Sequence, residues 1–130
     1  MDVTVDVPVD VYVADTVGDL GLWYRLAGLA VLGGSLVPGV GGHNPLEPAR
    51  LGCPFVAGAH VENWPLYADL VACRASAIVT SPGELDRYFH SVPDDPAALA
   101  AMARRARGYV TMRDGEAGEA IARVLALIDP

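Results

Sequence analysis

The sequence predicts an open α/β fold, a parallel sheet with helices on both faces. Short, continuous apolar runs of strand length alternate with amphipathic stretches of helical length, the pattern of strands buried on two sides. Residues that cap helices or open their first turn stand at the junctions: Thr16, Asn44-Pro45, Ser81-Pro82 and Asp95-Pro96. With 130 residues, 52% of them apolar, the chain can bury a core without disulfides. Disordered, collagen-like and cysteine-stapled classes are excluded, and one domain over residues 1–130 is expected.

Valines occupy every odd position from 3 to 13, the two-residue period of a strand, interrupted at Pro8. A regular repeat begins with an apolar strand at 11–14. The Thr16 hydroxyl then caps a helix carrying Leu20, Trp23, Tyr24 and Ala27, with Asp19 at its third position. A second strand at 29–32 runs into a glycine-rich loop, 33–42. Asn44, Pro45 and Glu47 supply an N-cap, a first-turn proline and a third-position acid, and Gly52 closes that helix. A third strand spans 53–57, and Asn63 starts a helix bearing Trp64, Leu66, Leu70 and Val71. The fourth strand spans 77–80. Ser81, Pro82 and Glu84 repeat the cap signature, Asp95-Pro96 opens a helix through Leu99, Met102 and Ala103, and a terminal helix covers 119–128. At helical spacing, Trp23, Tyr24 and Trp64 read as core residues.

Nine arginines, no lysine and sixteen acids give a net charge of −7, the wrong sign for a chain that grips phosphate backbones by charge, so no nucleic-acid partner is expected. Arg104, Arg105 and Arg107 read as a solvated helix face. Cys53 and Cys73 lack metal-site spacing and read as small buried apolar groups in a reducing compartment. The longest uncharged stretch, 26–42, contains Pro38 and six glycines and falls short of the ~20 apolar residues that cross a bilayer. Met1 is followed by acids rather than a basic and then apolar leader, so no signal peptide is expected and the chain is placed in the cytosol.

In open parallel sheets, ligands sit beyond the carboxyl ends of strands, which directs attention to the loops after positions 32, 57 and 80. The run GGSLVPGVGGHNPLEPA, 33–49, is the most informative stretch. Five glycines in the ten positions 33–42 let backbone approach a ligand and expose amides. The helix start at Pro45 adds free N–H groups, an anion site built without lysine. Glu47 and Asn44 serve equally well as helix-capping residues. His43, with no hydroxyl or thiol partner nearby, is a candidate for a ligand hydrogen bond rather than a nucleophilic triad. His90 reads as a surface histidine.

That run, followed by GxPxxxGxH at Gly52, Pro54, Gly58 and His60 and then by Asn63, closely resembles the 3-deoxy-D-manno-octulosonic acid (Kdo) transferases. The preceding VADTVGDLGLWYRLAGLAVLGGSL resembles them too, and the resemblance covers residues 11–81 well. It implies a Rossmann-like donor half, similar to the C-terminal domain of a GT-B glycosyltransferase without its opening strands. By motif, Glu47 would bind the ribose hydroxyls of CMP-Kdo. Gly34 and Ser35, beside Gly33, would approach phosphate or sugar. Gly41, Gly42, His43 and Asn44 would line the same pocket, and His60 and Asn63 would form its far wall.

The family transfers Kdo from CMP-Kdo to the lipid A precursor of lipopolysaccharide at the cytoplasmic face of the inner membrane. The resemblance therefore implies CMP-Kdo or CMP as ligand, no metal or cofactor, and a cytoplasmic or membrane-peripheral location. The acceptor domain and its catalytic carboxylate have no counterpart in these 130 residues, so no catalytic residue is assigned, the lipid acceptor would be reached through that other half, and the chain alone is expected to be inactive. Two alternatives remain. One is a non-catalytic interaction domain that self-associates through an open sheet edge; the other is the donor domain of another GT-B glycosyltransferase that uses a different nucleotide.

Overall fold

A computed structural model describes residues 8–91 and 95–128. They form α1 (Leu20–Leu26), β1 (Ala30–Leu32), a 3-10 turn (Gly33–Leu36), α2 (Leu46–Leu51), β2 (Phe55–Ala57), α3 (Tyr67–Ala72), β3 (Ala77–Ile78), α4 (Pro82–Ser91) and α5 (Pro96–Ile128). The strands lie in the order β1-β2-β3, all parallel, in an open sheet. The α/β expectation holds. Parallel neighbours need a crossover, and α2 and α3 supply the two crossovers.

Register couples Leu32 to Ala57 and Ala57 to Ile78, so alternate residues of the three strands share a face. That face packs on one core with Tyr24 of α1, Ala49 of α2, Tyr67 and Leu70 of α3, and Ala106 and Val110 of α5. Phe55, Val56 and Ala57 of the central strand are fully buried, which is why β2 reads as a continuous apolar run rather than an alternating one. Gly52 ends α2 in the left-handed region at φ +69°, as its place after the helix predicts.

Several sequence expectations are corrected. The strand at 11–14 does not form: Val11 and Val13 are 80% and 78% exposed, and a strand pattern without a neighbouring strand gains neither ladder bonds nor burial. The alternation at 3–7 lies outside the described residues. Three strands are therefore described instead of four. Thr16 does not cap α1; its hydroxyl donates to Asp19 Oδ2 at 2.6 Å, and the helix starts after Asp19 with no side-chain cap. The helix expected from Asn63 starts only at Tyr67, because Asn63 is engaged elsewhere. The two helices expected after Pro96 are one helix of 33 residues. Cys53 is buried as expected, but Cys73 is exposed.

Candidate functional site

Two clefts open at the carboxyl ends of the strands, one on each side of the Gly33–Leu36 turn. The first, of about 520 Å³, is lined by Leu20 and Tyr24 from α1, Val31 and Leu32 from β1, and Gly33, His43, Asn44 and Glu47. The second, of about 320 Å³, is lined by Leu36, Ala59, His60, Val79 and the start of α4 at Thr80, Ser81, Pro82 and Leu85. Four of the ten sequence-selected residues thus share the first cleft. His60 lies in the second, so it does not form the far wall of the Glu47 cleft. A third cavity, of about 700 Å³, runs along α5 past Gly52, Arg104 and Arg107, before β2 rather than beyond it.

The other selected residues build the walls. Ser35 is fully buried: its hydroxyl donates to the Leu32 carbonyl and accepts from the Gly58 N–H at 2.6 Å, while the Ser35 carbonyl accepts from the His60 N–H at 3.0 Å. This latch ties the loop after β1 to the loop after β2 and leaves the Ser35 side chain no surface to present to a ligand. Gly58 passes so close that an added Cβ would collide with the Ser35 backbone, which explains a glycine there.

Asn63 reaches across 21 residues to exchange two hydrogen bonds with Gly42. Its Oδ1 accepts from the Gly42 N–H at 2.9 Å, and its Nδ2 donates to the Gly42 carbonyl at 2.9 Å. The Trp64 indole N–H also donates to that carbonyl at 3.1 Å, and the Tyr67 hydroxyl donates to the His43 carbonyl at 3.0 Å. Gly41 takes φ +86° so that the chain can turn beneath Asn63. Gly34 leaves room for the His43 imidazole; a Cβ there would stand 2.7 Å from His43 Cε1. The glycines therefore admit protein side chains as well as exposing amides, and the Gly42 N–H is already taken.

At the start of α2, Asn44 Oδ1 accepts from the Leu46 N–H at 3.0 Å, but the N-cap position falls to Pro45, which carries no side-chain cap, so Glu47 is the second helical residue rather than the third. Pro48 has no N–H, so the Glu47 amide is the first-turn donor of α2 without a hydrogen-bond partner among the described residues. The Glu47 carboxylate is exposed and forms no ion pair or hydrogen bond among them. Tyr24 is 8% exposed, and its phenol pKa is raised first by burial, then by the Glu47 carboxylate and by Cys53. Burial, and secondarily Tyr24, pushes the Tyr67 phenol up as well, so both hydroxyls stay protonated donors near neutral pH. Sequence periodicity marks Tyr24 only as a core position; the signal it misses is that a tyrosine ring can pack inward while its hydroxyl reaches a cleft rim.

Set beside known proteins, the chain is 31% identical over 122 residues to the 3-deoxy-D-manno-octulosonic acid transferase of Haemophilus influenzae, covering 92% of this chain and 27% of that one. It is 39% identical over 92 residues to the transferase of the same name from Chlamydophila psittaci, covering 71% of this chain and 21% of that one. The crystal structure of the C-terminal CMP-Kdo binding domain of WaaA from Acinetobacter baumannii superposes with a TM-score of 0.68 at 31% identity, over 75% of this chain and 51% of that one. The chain belongs to the Kdo transferase family. It spans about a quarter of the length of the Kdo transferases it matches and about half of the WaaA domain. No protein-family model matches it. No helix among the described residues is long and apolar enough to cross a membrane.

Proposed function

We propose that this chain is a donor-binding domain of a Kdo transferase, holding CMP-Kdo in the first cleft for transfer to the lipid A precursor of lipopolysaccharide. The observation that carries the reading is that Gly33, His43, Asn44 and Glu47 meet in one cleft of about 520 Å³, within the range of small-molecule sites, in a chain similar to a CMP-Kdo binding domain. Glu47, with acceptor oxygens only and no protein partner described, suits the two ribose hydroxyls. The imidazole of His43, the Nδ2 of Asn44 and the Glu47 N–H are donors for the phosphate.

Transfer breaks the bond between the Kdo anomeric carbon and the CMP phosphate oxygen while an acceptor hydroxyl loses its proton. Donors at the phosphate stabilise the leaving group. The base belongs to the acceptor side, and a GT-B arrangement, in which a second domain closes over the donor at the cytoplasmic face of the inner membrane, would provide it. Gly34, Ser35, Gly41, Gly42 and Asn63 shape the cleft from behind, and His60 faces the neighbouring one. The similarity to a CMP-Kdo binding domain favours this reading over a pure interaction domain.

Titrating CMP into the chain tests it. Saturable chemical-shift changes at Gly33, His43 and Glu47 are expected, with UMP a weaker competitor, and Glu47→Ala should weaken CMP about tenfold or more through lost hydrogen bonds to both hydroxyls. No saturable change at millimolar CMP would remove the proposal, and a preference for UMP would move it to a different donor.

A further inference from the structure

The turn that separates the two clefts is thin. Gly33 lines the first and Leu36 the second, three steps along a 3-10 helix, which at about 2 Å per residue sets the clefts roughly 6 Å apart. Little stands between them: a Cβ on Gly33 would meet nothing within 4 Å, and the Ser35 side chain is turned into the core. The place a Gly34 side chain would take is filled by the His43 imidazole, itself part of the first cleft. A ligand can therefore lie across the turn at Gly33. On the far side, the His60 backbone is fixed to the same turn, its N–H donating to the Ser35 carbonyl at 3.0 Å.

The second cleft, of about 320 Å³, lies within the range of small-molecule sites, and its lining includes no acid. It does hold unspent donors. His60 Nδ1 is 3.9 Å from Glu62 Oε1, beyond hydrogen-bond reach, and the imidazole has no hydrogen-bond partner among the described residues. Ser81 Oγ accepts from the Glu84 N–H at 3.2 Å, while its own proton goes to no described residue. Thr80, by contrast, spends both its amide and its hydroxyl on Glu84.

We propose that the second cleft is the subsite for the sugar end of the donor: the nucleotide stays in the first cleft, the sugar crosses at Gly33, and its carboxylate accepts from the His60 imidazole and the Ser81 hydroxyl. This rests on the donor-binding reading above and names the class of sugar selected, a ulosonic acid. Such a sugar carries its carboxylate on the anomeric carbon, the carbon that also bonds to the phosphate oxygen. Lodged in the first cleft, that carboxylate would face the like charge of Glu47. The second cleft offers it donors between the apolar walls of Leu36, Ala59, Val79 and Leu85, where a charge-assisted hydrogen bond is strengthened. A neutral sugar has no charge to set against them.

The experiment titrates wild type, His60→Ala and Ser81→Ala with CMP and with CMP-Kdo, alongside thermal unfolding. The backbone bond from His60 to Ser35 survives the substitution, so His60→Ala should melt with wild type. Wild type should prefer CMP-Kdo to CMP by about tenfold or more, with chemical-shift changes at Ala59, His60 and Ser81 that CMP alone does not produce; His60→Ala should cut the preference to about threefold or less, and Ser81→Ala should reduce it. A preference unchanged in His60→Ala would overturn the inference while leaving the donor reading intact. So would equal binding of CMP and CMP-Kdo by wild type, or shifts at His60 with CMP alone, which would put the nucleotide in the second cleft. Failure of wild type to bind CMP at all would instead remove the donor reading itself.

Discussion

Ser35→Ala separates a scaffold residue from a ligand residue by a measurement on the folded chain alone. The hydroxyl is fully buried and takes part in two hydrogen bonds, donating to the Leu32 carbonyl and accepting from the Gly58 N–H. Alanine removes the acceptor without removing the donor, and the stranded Gly58 N–H lies where water has no entry, since Gly58 is itself buried. An orphaned buried amide costs about 1–3 kcal/mol, and the lost donation to Leu32 adds roughly 1 kcal/mol at most, so a loss of about 2–3 kcal/mol is expected. For a chain of this size that lowers the melting temperature by about 8–12 °C, at roughly 4 °C per kcal/mol. Urea and thermal unfolding followed by circular dichroism measure it. Below the new midpoint, the variant should bind CMP within about twofold of wild type, because the side chain does not reach the cleft. A variant as stable as wild type to within about 0.5 kcal/mol would refute the latch, as would one that keeps its stability and loses CMP.

Asn63→Ala frees the Gly42 N–H at a half-buried site where water can replace part of what is lost, while the Gly42 carbonyl keeps the Trp64 indole donor; about 1–2 kcal/mol of local stability should disappear, seen as at least tenfold faster hydrogen exchange of the Gly42 amide. Glu84 accepts from the Thr80 N–H at 2.7 Å and from its hydroxyl at 2.8 Å, and these bonds, the backbone one first, hold its carboxyl pKa below the ordinary 4.5. A depressed carboxylate stabilises the fold above its unfolded value and ceases to do so as pH falls through the folded one. The Thr80 amide resonance should therefore titrate with a midpoint under 4.5, and Glu84→Gln should abolish that step.

The strands were legible where burial on both faces writes a continuous apolar run, as in Phe55-Val56-Ala57, and their ends less so, because pairing rather than composition sets where a ladder stops. The segment at 11–14 has equal strand character and no strand, since the sequence pattern states only that a strand would fit. Gly108, Gly115 and Gly118 suggest interruptions, yet α5 continues through all three: a helix-interior glycine costs about 1 kcal/mol against alanine, and the surrounding alanine, arginine and glutamate residues favour helix. At the site, short-range chemistry was readable, including the Asn44 side chain turned onto the Leu46 N–H and the first-turn Glu47. Long-range assignments were not. Nothing near Asn63 in sequence indicates that its amide will be consumed by Gly42, and nothing near Ser35 announces Gly58.

The electrostatics of the cleft give a last prediction with a definite sign. A chain of charge −7 repels a nucleotide monophosphate at long range, and the side chains lining the first cleft include Glu47 and no arginine. Arg50 is paired with Asp114 at 2.6 Å, and Arg107 packs against Gly52 at the start of the connection into β2, away from the strands' carboxyl ends. Affinity must then come from short-range donors whose positions are fixed beforehand by Asn63–Gly42 and Tyr67–His43. Salt screens the repulsion beyond about 10 Å at 0.1 M and leaves those contacts largely untouched. The dissociation constant of CMP should consequently hold steady or tighten as salt rises from about 50 to 500 mM, the opposite of a lysine or arginine clamp, which weakens as its attraction is screened. A loss of tenfold or more over that range would mean that a cation grips the phosphate, and the amide-and-imidazole account of anion binding in this cleft would fail.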